Sequence, residues 1–131
     1  MKFYHIFILI ILCSIQAHAT TDYFCLTDGN KSILLVPKNY PDFSTVKYYP
    51  YLKDIKVSKT IQIYKVDMGE NAHPEIYRTM NEIINNKITG KYTFMSQGYL
   101  LYYATYYNLK TKKKTEFSRE YELKLKGVNC L

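Results

Sequence analysis

The feature that most constrains this sequence is the position of its three cysteines, Cys13, Cys25 and Cys130. Cys13 falls inside an apolar N-terminal run, whereas Cys25 and Cys130 stand near the two ends of the chain that follows it. A disulfide between these two would tie the ends of a domain together. Closing a loop of about 100 residues stabilises a fold by roughly 4–5 kcal/mol in the chain-entropy model. Such a bond persists only in an oxidising compartment. Whether it forms therefore depends on whether the N-terminal segment directs export.

The N-terminal segment has the three parts of a secretory signal peptide. Lys2 supplies the positive start, residues 6–15 form an almost unbroken apolar stretch, and Ala17-His18-Ala19 is a small-x-small end. Spanning a bilayer takes about 20 apolar residues. Because this run is far shorter, a cleaved signal peptide is favoured over a membrane anchor.

The signal peptide fixes the composition of the mature chain. We predict cleavage between Ala19 and Thr20, which removes Cys13 and leaves residues 20–131 as one small secreted domain. A bacterial lipoprotein is disfavoured, because Leu12 is too large for the position before a lipidated cysteine.

Cys25 and Cys130 remain as an even pair in a small exported domain, which is the pattern of a disulfide. The alternatives are two free thiols or a metal site. A zinc site takes four ligands, and His73 would be the only histidine available to join the two cysteines. The sequence therefore predicts a Cys25–Cys130 disulfide and no bound metal.

Composition bounds the class of protein. The 131 residues include 15 tyrosines and no tryptophan, and 18 basic against 11 acidic residues give a net charge of +7. Tyrosine favours strands and combines an apolar ring with a polar tip. The basic balance favours anionic partners such as nucleic acid (RNA included), acidic lipid or an acidic protein. A membrane surface is not an expected partner. A solvated basic face without a partner is the commoner alternative.

Alternating apolar residues predict several antiparallel strands. Asp28-Gly29 between two apolar runs predicts a hairpin. A strand with a bulge is expected over residues 55–66, where the alternation changes parity. Three further strands form a C-terminal meander, over residues 91–95, 99–108 and 115–126.

One segment carries a helical pattern. Ile76, Met80 and Ile83 fall at helical spacing, and Pro74 suits the first position of a helix. The sequence predicts a helix over residues 74–87. The expected fold class is α+β, a predominantly antiparallel β-sheet packed on one amphipathic helix.

No residues combine into a recognisable catalytic set. His73 stands before Pro74 and is better explained as a turn residue than as a general base, and both mature cysteines are expected to be oxidised. The glycines are isolated, so no phosphate-binding loop exists. We expect a protein that is not an enzyme and that uses no cofactor.

Two segments are candidates for binding. The first, residues 40–59, interleaves tyrosine with lysine, a combination suited to recognition. The second is the lysine-rich hairpin tip, residues 110–114. A tyrosine-rich strand edge and a solvated turn are the respective alternatives. The candidate binding residues are Lys47, Tyr48, Tyr49, Tyr51, Lys53, Lys112 and Lys113.

The two ends of the mature chain carry a family resemblance. Tyr23-Phe24-Cys25 follows the predicted cleavage site and Cys130 closes the chain. This layout resembles the ribonuclease-like effectors that powdery mildew fungi secrete. The resemblance implies a fold like the small fungal ribonucleases, with one helix on an antiparallel sheet and a disulfide joining the ends. The helix predicted here falls later in the chain than theirs.

The resemblance also implies a function. It suggests delivery into a plant host, sensing by host immune receptors, and lost nuclease chemistry, since such ribonucleases use two catalytic histidines and only His73 would remain. The expectation is a secreted, non-enzymatic effector that binds a host protein or RNA. The alternative is an exported inhibitor- or immunity-like protein that binds another protein.

Overall fold

The computed structural model describes residues 22–131. The predicted signal peptide, its cleavage site and Cys13 therefore lie outside the described residues.

The described chain forms β-strands and contains no helix among residues 22–131. The ten strands are β1 (Asp22–Thr27), β2 (Ile33–Pro37), β3 (Thr45–Tyr49), β4 (Ile55–Val57), β5 (Gln62–Val66), β6 (Glu75–Ile84), β7 (Lys87–Gln97), β8 (Leu100–Asn108), β9 (Lys114–Arg119) and β10 (Asn129–Cys130).

Eight of these strands close into an antiparallel barrel. Their order around the barrel is β1, β2, β3, β4, β6, β7, β8 and β9, so each strand lies beside its neighbours in sequence except where β5 intervenes. The pairing of β9 with β1 closes the ring, with Leu26 opposite Arg119 and Thr27 opposite Ser118. β5 continues along β6 beyond β4, and the short β10 runs parallel to β1.

The predicted helix over residues 74–87 is wrong, and with it the α+β class and the likeness to small fungal ribonucleases. This segment is strand β6 and the start of β7. Ile76 and Met80 are four residues apart, a spacing that fits one face of a helix and also one face of a strand. Asn85 and Asn86 decide between them, because both have positive φ, 51° and 64°, as the two central residues of a type I′ hairpin turn require.

Other predicted elements are present with changed ends. The Asp28-Gly29 hairpin joins β1 and β2, and the Asp28 carboxylate accepts hydrogen bonds from the backbone N–H groups of Asn30 and Ser32. The strand expected over residues 55–66 is divided into β4 and β5, which pair with the same strand. The expected C-terminal meander corresponds to β7, β8 and β9, although β9 ends at Arg119.

The barrel interior is packed with aromatic and aliphatic side chains. The fully buried members with the largest side chains are Tyr92, Phe94 and Phe117. Around them lie Phe24, Leu26, Leu34, Val36, Val46, Val57, Met80, Leu101 and Ala104. This is the filling expected of an eight-stranded barrel, whose interior is just wide enough for side chains or one small ligand.

One end of the barrel is closed by the connection between β2 and β3. Tyr40 and Phe43 from this connection pack on Phe94, with ring centroids 5.8 and 5.5 Å away. Arg78 adds a polar layer there, since its guanidinium lies 5.7 Å from the Tyr40 ring centroid and donates to the Ser96 hydroxyl at 3.3 Å. The opposite end carries the β1–β2, β3–β4, β6–β7 and β8–β9 connections.

The predicted disulfide is confirmed. Cys25 and Cys130 are bonded, with their Cα atoms 5.4 Å apart. The chain after β9 passes over the outside of the barrel, where Leu123 and Leu125 pack against the outward side of β1 and β2. The disulfide therefore fixes this C-terminal segment to the first strand, and the Leu131 N–H also donates to the β1 backbone.

Candidate functional site

The open end of the barrel holds a cleft of about 1260 Å³. Its floor is polar and lies on the inward face of the strands. Isoleucine, leucine and phenylalanine side chains form the walls, and lysines surround the rim. The floor is formed by Tyr48, Glu82, Thr89 and Tyr106, the walls by Ile84, Ile88, Leu109 and Phe117, and the lysines of the rim are Lys87, Lys110, Lys113 and Lys114.

Glu82 is the central residue of the floor. Its side chain is buried, with the residue only 4% exposed. The Oε1 atom accepts hydrogen bonds from the hydroxyls of Tyr106 and Thr89, both at 2.7 Å, and Oε2 accepts one from the Tyr92 hydroxyl at 3.2 Å. No cationic side chain of residues 22–131 forms an ion pair with this carboxylate. Hydroxyl groups alone therefore compensate its burial.

A second hydroxyl contact extends this network. The hydroxyls of Tyr48 and Tyr92 lie 2.7 Å apart. Each hydroxyl has one proton to donate, and an ionised carboxylate only accepts. Because the Tyr92 proton is directed to Glu82, the Tyr48 hydroxyl donates to Tyr92. The resulting chain runs from Tyr48 through Tyr92 to Glu82.

The phenol groups of the floor are held in their protonated form. Burial raises the pKa of Tyr48 to about 12, and the nearby charge of Glu82 acts in the same direction. Burial and the neighbouring Tyr48 phenol raise the pKa of Tyr92. Burial and the hydrogen bond to Glu82 raise the pKa of Tyr106. At neutral pH these hydroxyls keep their protons, so Tyr92 and Tyr106 donate to the carboxylate and Tyr48 donates to Tyr92.

The strand register explains why these side chains meet. Met80 pairs with Tyr92, and Tyr92 pairs with Tyr106, so both tyrosines lie on the inward face across from β6. Glu82 is two residues after Met80 and shares its face. Its partner on β7 is Gly90, whose missing side chain leaves the space that the Tyr106 ring occupies. The hydroxyl of Tyr106 reaches Glu82 through that space.

Two of the predicted binding residues meet at this cleft. Tyr48 points into the barrel and forms part of the floor, and Lys113 lies on the rim. Lys112 is next to Lys113 and exposed, but does not line the cleft. Tyr48 and Lys113 are far apart in sequence, and only the closure of the barrel places them together.

The remaining predicted binding residues lie elsewhere. Lys47 is on the outer face of β3, with Nζ 3.4 Å from the carboxylate of Asp54. Tyr49 packs against the outer apolar cluster under the C-terminal segment. Tyr51 is 84% exposed in the β3–β4 connection, and Lys53 is exposed beside it. Residues 40–59 thus do not form one continuous surface.

Sequence reasoning missed Glu82, Tyr92 and Tyr106. The signal that could have found them is the alternation of buried residues along the true strands, in which Met80 and Glu82 share one face of β6. A helical period over residues 74–87 places the same glutamate on the side opposite Ile76 and Met80, towards solvent. Recognising Asn85-Asn86 as a hairpin turn would have reversed that assignment.

The histidine and the cysteines of the described residues lie away from the cleft. His73 is exposed at the closed end of the barrel, where its backbone carbonyl accepts a hydrogen bond from the Gln97 amide at 2.9 Å. Residues 22–131 contain no group of three or more histidine, cysteine, aspartate or glutamate side chains that could hold a metal ion. Nor does a helix long and apolar enough to cross a membrane occur within this range.

No family model, curated protein or solved structure matches this chain. The resemblance to secreted effectors therefore rests on Tyr23-Phe24-Cys25 and Cys130 alone. The ribonuclease-like fold that it implied is replaced by the barrel. The functional argument accordingly starts from the cleft.

Proposed function

We propose that this protein is a non-enzymatic binding protein that takes a small amphipathic molecule into the open end of its barrel. The observation that carries the proposal is the buried Glu82 carboxylate at the base of a cleft with apolar walls. Ligand sites typically combine an apolar lining with a few converging polar groups. The cleft has both.

The polar floor is costly for stability and is not needed to fill the barrel. Burying a carboxylate without an ion-pair partner is unfavourable even when hydroxyls bond it. At the closed end, aromatic rings such as Phe43 and Phe94 fill the equivalent space. A fold selected for stability alone would be expected to place apolar side chains at both ends.

The walls of the cleft expose apolar surface. Ile88 is 54% exposed, and Ile84 and Leu109 are also exposed large hydrophobic residues at the same opening. Apolar side chains that converge on one opening suit contact with the apolar part of a ligand. Together with the floor, they select a molecule with an apolar body and a polar end.

The arrangement supports binding better than catalysis. Both oxygens of Glu82 accept hydrogen bonds from protein hydroxyls, and the phenols of the floor are kept protonated by burial. A tyrosine attacks as a nucleophile through its ionised form. Burial raises the pKa of Tyr48 and Tyr106 and so disfavours that form at neutral pH.

Export and an effector role stay predictions, and they are compatible with a ligand carrier or scavenger. Protein binding is a second candidate, favoured by one observation. Tyr51 is 84% exposed at the tip of the β3–β4 connection, on the same end of the barrel as the cleft. Exposed tyrosines of this kind are enriched at protein interfaces.

The cleft can be tested with a fluorescent amphipathic probe, anilinonaphthalene sulfonate. Ile88→Ser should weaken probe binding several-fold, because it removes apolar contact at the cleft wall. Ile63→Ser is the matched control, since Ile63 on β5 is 56% exposed and does not line the cleft. Equal effects of the two substitutions, or none of either, would contradict the proposal.

A further inference from the structure

The floor of the cleft offers hydrogen-bond acceptors and no free donor. The hydroxyl protons of Thr89, Tyr92 and Tyr106 are directed to Glu82, and that of Tyr48 to Tyr92. What remains towards the cleft are oxygen lone pairs and the negative charge of the carboxylate. A ligand group that complements this floor must donate hydrogen bonds and carry positive charge.

The aromatic rings of the floor favour the same ligand group. Tyr48 and Tyr106 line the cleft with Glu82 and come from β3 and β8, which lie on opposite sides of β6 in the barrel. The face of a tyrosine ring attracts an organic cation, and the attraction is stronger where water is excluded. An ammonium group beside Glu82 would therefore gain an ion pair, hydrogen bonds and ring contacts together.

The rim has the opposite preference. Four lysines line the cleft, and its two other acidic residues are Asp28 and Glu116. The Asp28 carboxylate already accepts two backbone hydrogen bonds in the β1–β2 turn. None of the rim lysines forms an ion pair with a carboxylate of residues 22–131. The rim is thus suited to an anionic group.

We infer that the ligand is an amphoteric amine, with an ammonium group that binds Glu82, an apolar body against Ile88 and Leu109, and an anionic group among the rim lysines. This inference rests on the proposed function and specifies its ligand class. A simple amine would leave the lysines without a partner and meet their repulsion on entry. A simple anion would place no donor against the Glu82 floor.

The first test uses probes of one chain length on the unaltered, disulfide-bonded protein. ω-Aminooctanoate carries both charged groups at opposite ends, octylamine only the ammonium and octanoate only the carboxylate. Calorimetric titration should show ω-aminooctanoate binding about tenfold or more tightly than either single-charge probe, a difference of about 1.4 kcal/mol. N-acetyl-ω-aminooctanoate, which lacks the ammonium charge, should bind no better than octanoate.

Two pairs of variants test which residues bind the ammonium end of the ligand and which bind its anionic end. Glu82→Gln should weaken ω-aminooctanoate and octylamine about tenfold and leave octanoate unchanged, whereas Glu75→Gln, at the other end of the same strand and outside the cleft, should change the binding of none of the three probes. Lys113→Gln should weaken ω-aminooctanoate and octanoate several-fold, whereas octylamine should bind as well as before or better, because one of the repelling rim charges is removed. Lys112→Gln is its control, because Lys112 neighbours Lys113 without lining the cleft.

The outcomes separate this inference from the proposed function. If octanoate binds best, or if acetylation of the amine does not weaken binding, the ligand class is wrong while the cleft remains a binding site. The same conclusion follows if anilinonaphthalene sulfonate binds in an Ile88-dependent manner and none of the octyl probes does. If neither this dye nor any octyl probe binds, the proposed function itself fails.

Discussion

A Cβ atom placed on Gly90 would lie 2.5 Å from Cε2 and 2.7 Å from the hydroxyl oxygen of Tyr106. Real Cβ contacts are not this short, so a side chain at position 90 would displace the ring. The displaced hydroxyl would lose its 2.7 Å hydrogen bond to Glu82. The glycine is thus a structural condition for the polar floor of the cleft.

Gly90→Ala should therefore damage the floor and lower stability together. Overpacking of this kind costs about 1–3 kcal/mol, which denaturant unfolding would measure. In a Tyr106→Ala background the same substitution should cost much less, because the ring that it collides with is absent. Equal costs in both backgrounds would show that the contact between Gly90 and Tyr106 does not limit the packing.

Stability should fall at alkaline pH because of Tyr48. Burial raises its pKa in the folded protein from 10.0 to about 12. As the pH rises above 10, the unfolded chain loses this proton before the folded protein does. The stabilisation is complete below pH 10 and is lost between pH 10 and 12, and two pKa units correspond to about 3 kcal/mol.

The measurement is the free energy of unfolding between pH 8 and 12 for the native protein and for Tyr48→Phe. The variant lacks the titrating group but keeps the ring, so its stability should fall less steeply above pH 10. Parallel curves for the two proteins would mean that Tyr48 does not contribute to the alkaline transition. The other titrating groups are present in both proteins, and the largest cause of the raised pKa of Tyr92, its burial, is also common to both.

Breaking the disulfide should release the C-terminal segment from the outside of β1. The Cys25→Ala, Cys130→Ser double variant should lose about 2–5 kcal/mol of stability. Non-reducing peptide mapping of the native protein should link the peptides that contain the two cysteines. Recovery of two alkylatable thiols from native protein would contradict the bond.

Features fixed by local chemistry could be predicted from the sequence. Asp28-Gly29 specifies its hairpin through a turn that is favourable for those two residues, with Gly29 at φ 79°. The disulfide followed from the number of cysteines and their expected compartment. Neither prediction required knowledge of which distant segments meet.

The helix prediction failed because the four-residue spacing of Ile76 and Met80 fits both the period of an α-helix, about 3.6 residues, and the period of a β-strand, about two residues. The Asn85-Asn86 turn distinguishes the strand from the helix. These two residues can be read as a hairpin turn only once the following segment is recognised as a strand. Closure of the barrel depends on pairing between Leu26 and Arg119, for which no local pattern exists. The fold class was therefore beyond what the periodicity alone could decide.

The candidate site was predicted only in part, because its residues are brought together by the closure of the barrel. Tyr48 and Lys113 were assigned to two separate surfaces, and barrel closure brings them to one cleft. Glu82 was missed because an acidic residue in an amphipathic pattern is normally placed on the solvent side. A buried carboxylate becomes recognisable only when the strand register shows the hydroxyls that surround it.

The last prediction separates the two tyrosines that the sequence placed in one recognition segment. Tyr48 is part of the barrel floor, so Tyr48→Ala should lower stability by about 2–4 kcal/mol, as loss of a packed ring does. Tyr51 is 84% exposed, so Tyr51→Ala should change stability by no more than about 0.5 kcal/mol. Thermal unfolding measures both values.

Binding then distinguishes the two candidate functions. If the protein recognises a protein partner through the β3–β4 connection, Tyr51→Ala should weaken that complex by about 2 kcal/mol or more, as for other exposed aromatic anchors. The same variant should leave ω-aminooctanoate binding unchanged, because Tyr51 does not line the cleft. A loss of small-ligand binding in Tyr51→Ala would instead mean that the connection folds over the cleft when the ligand enters.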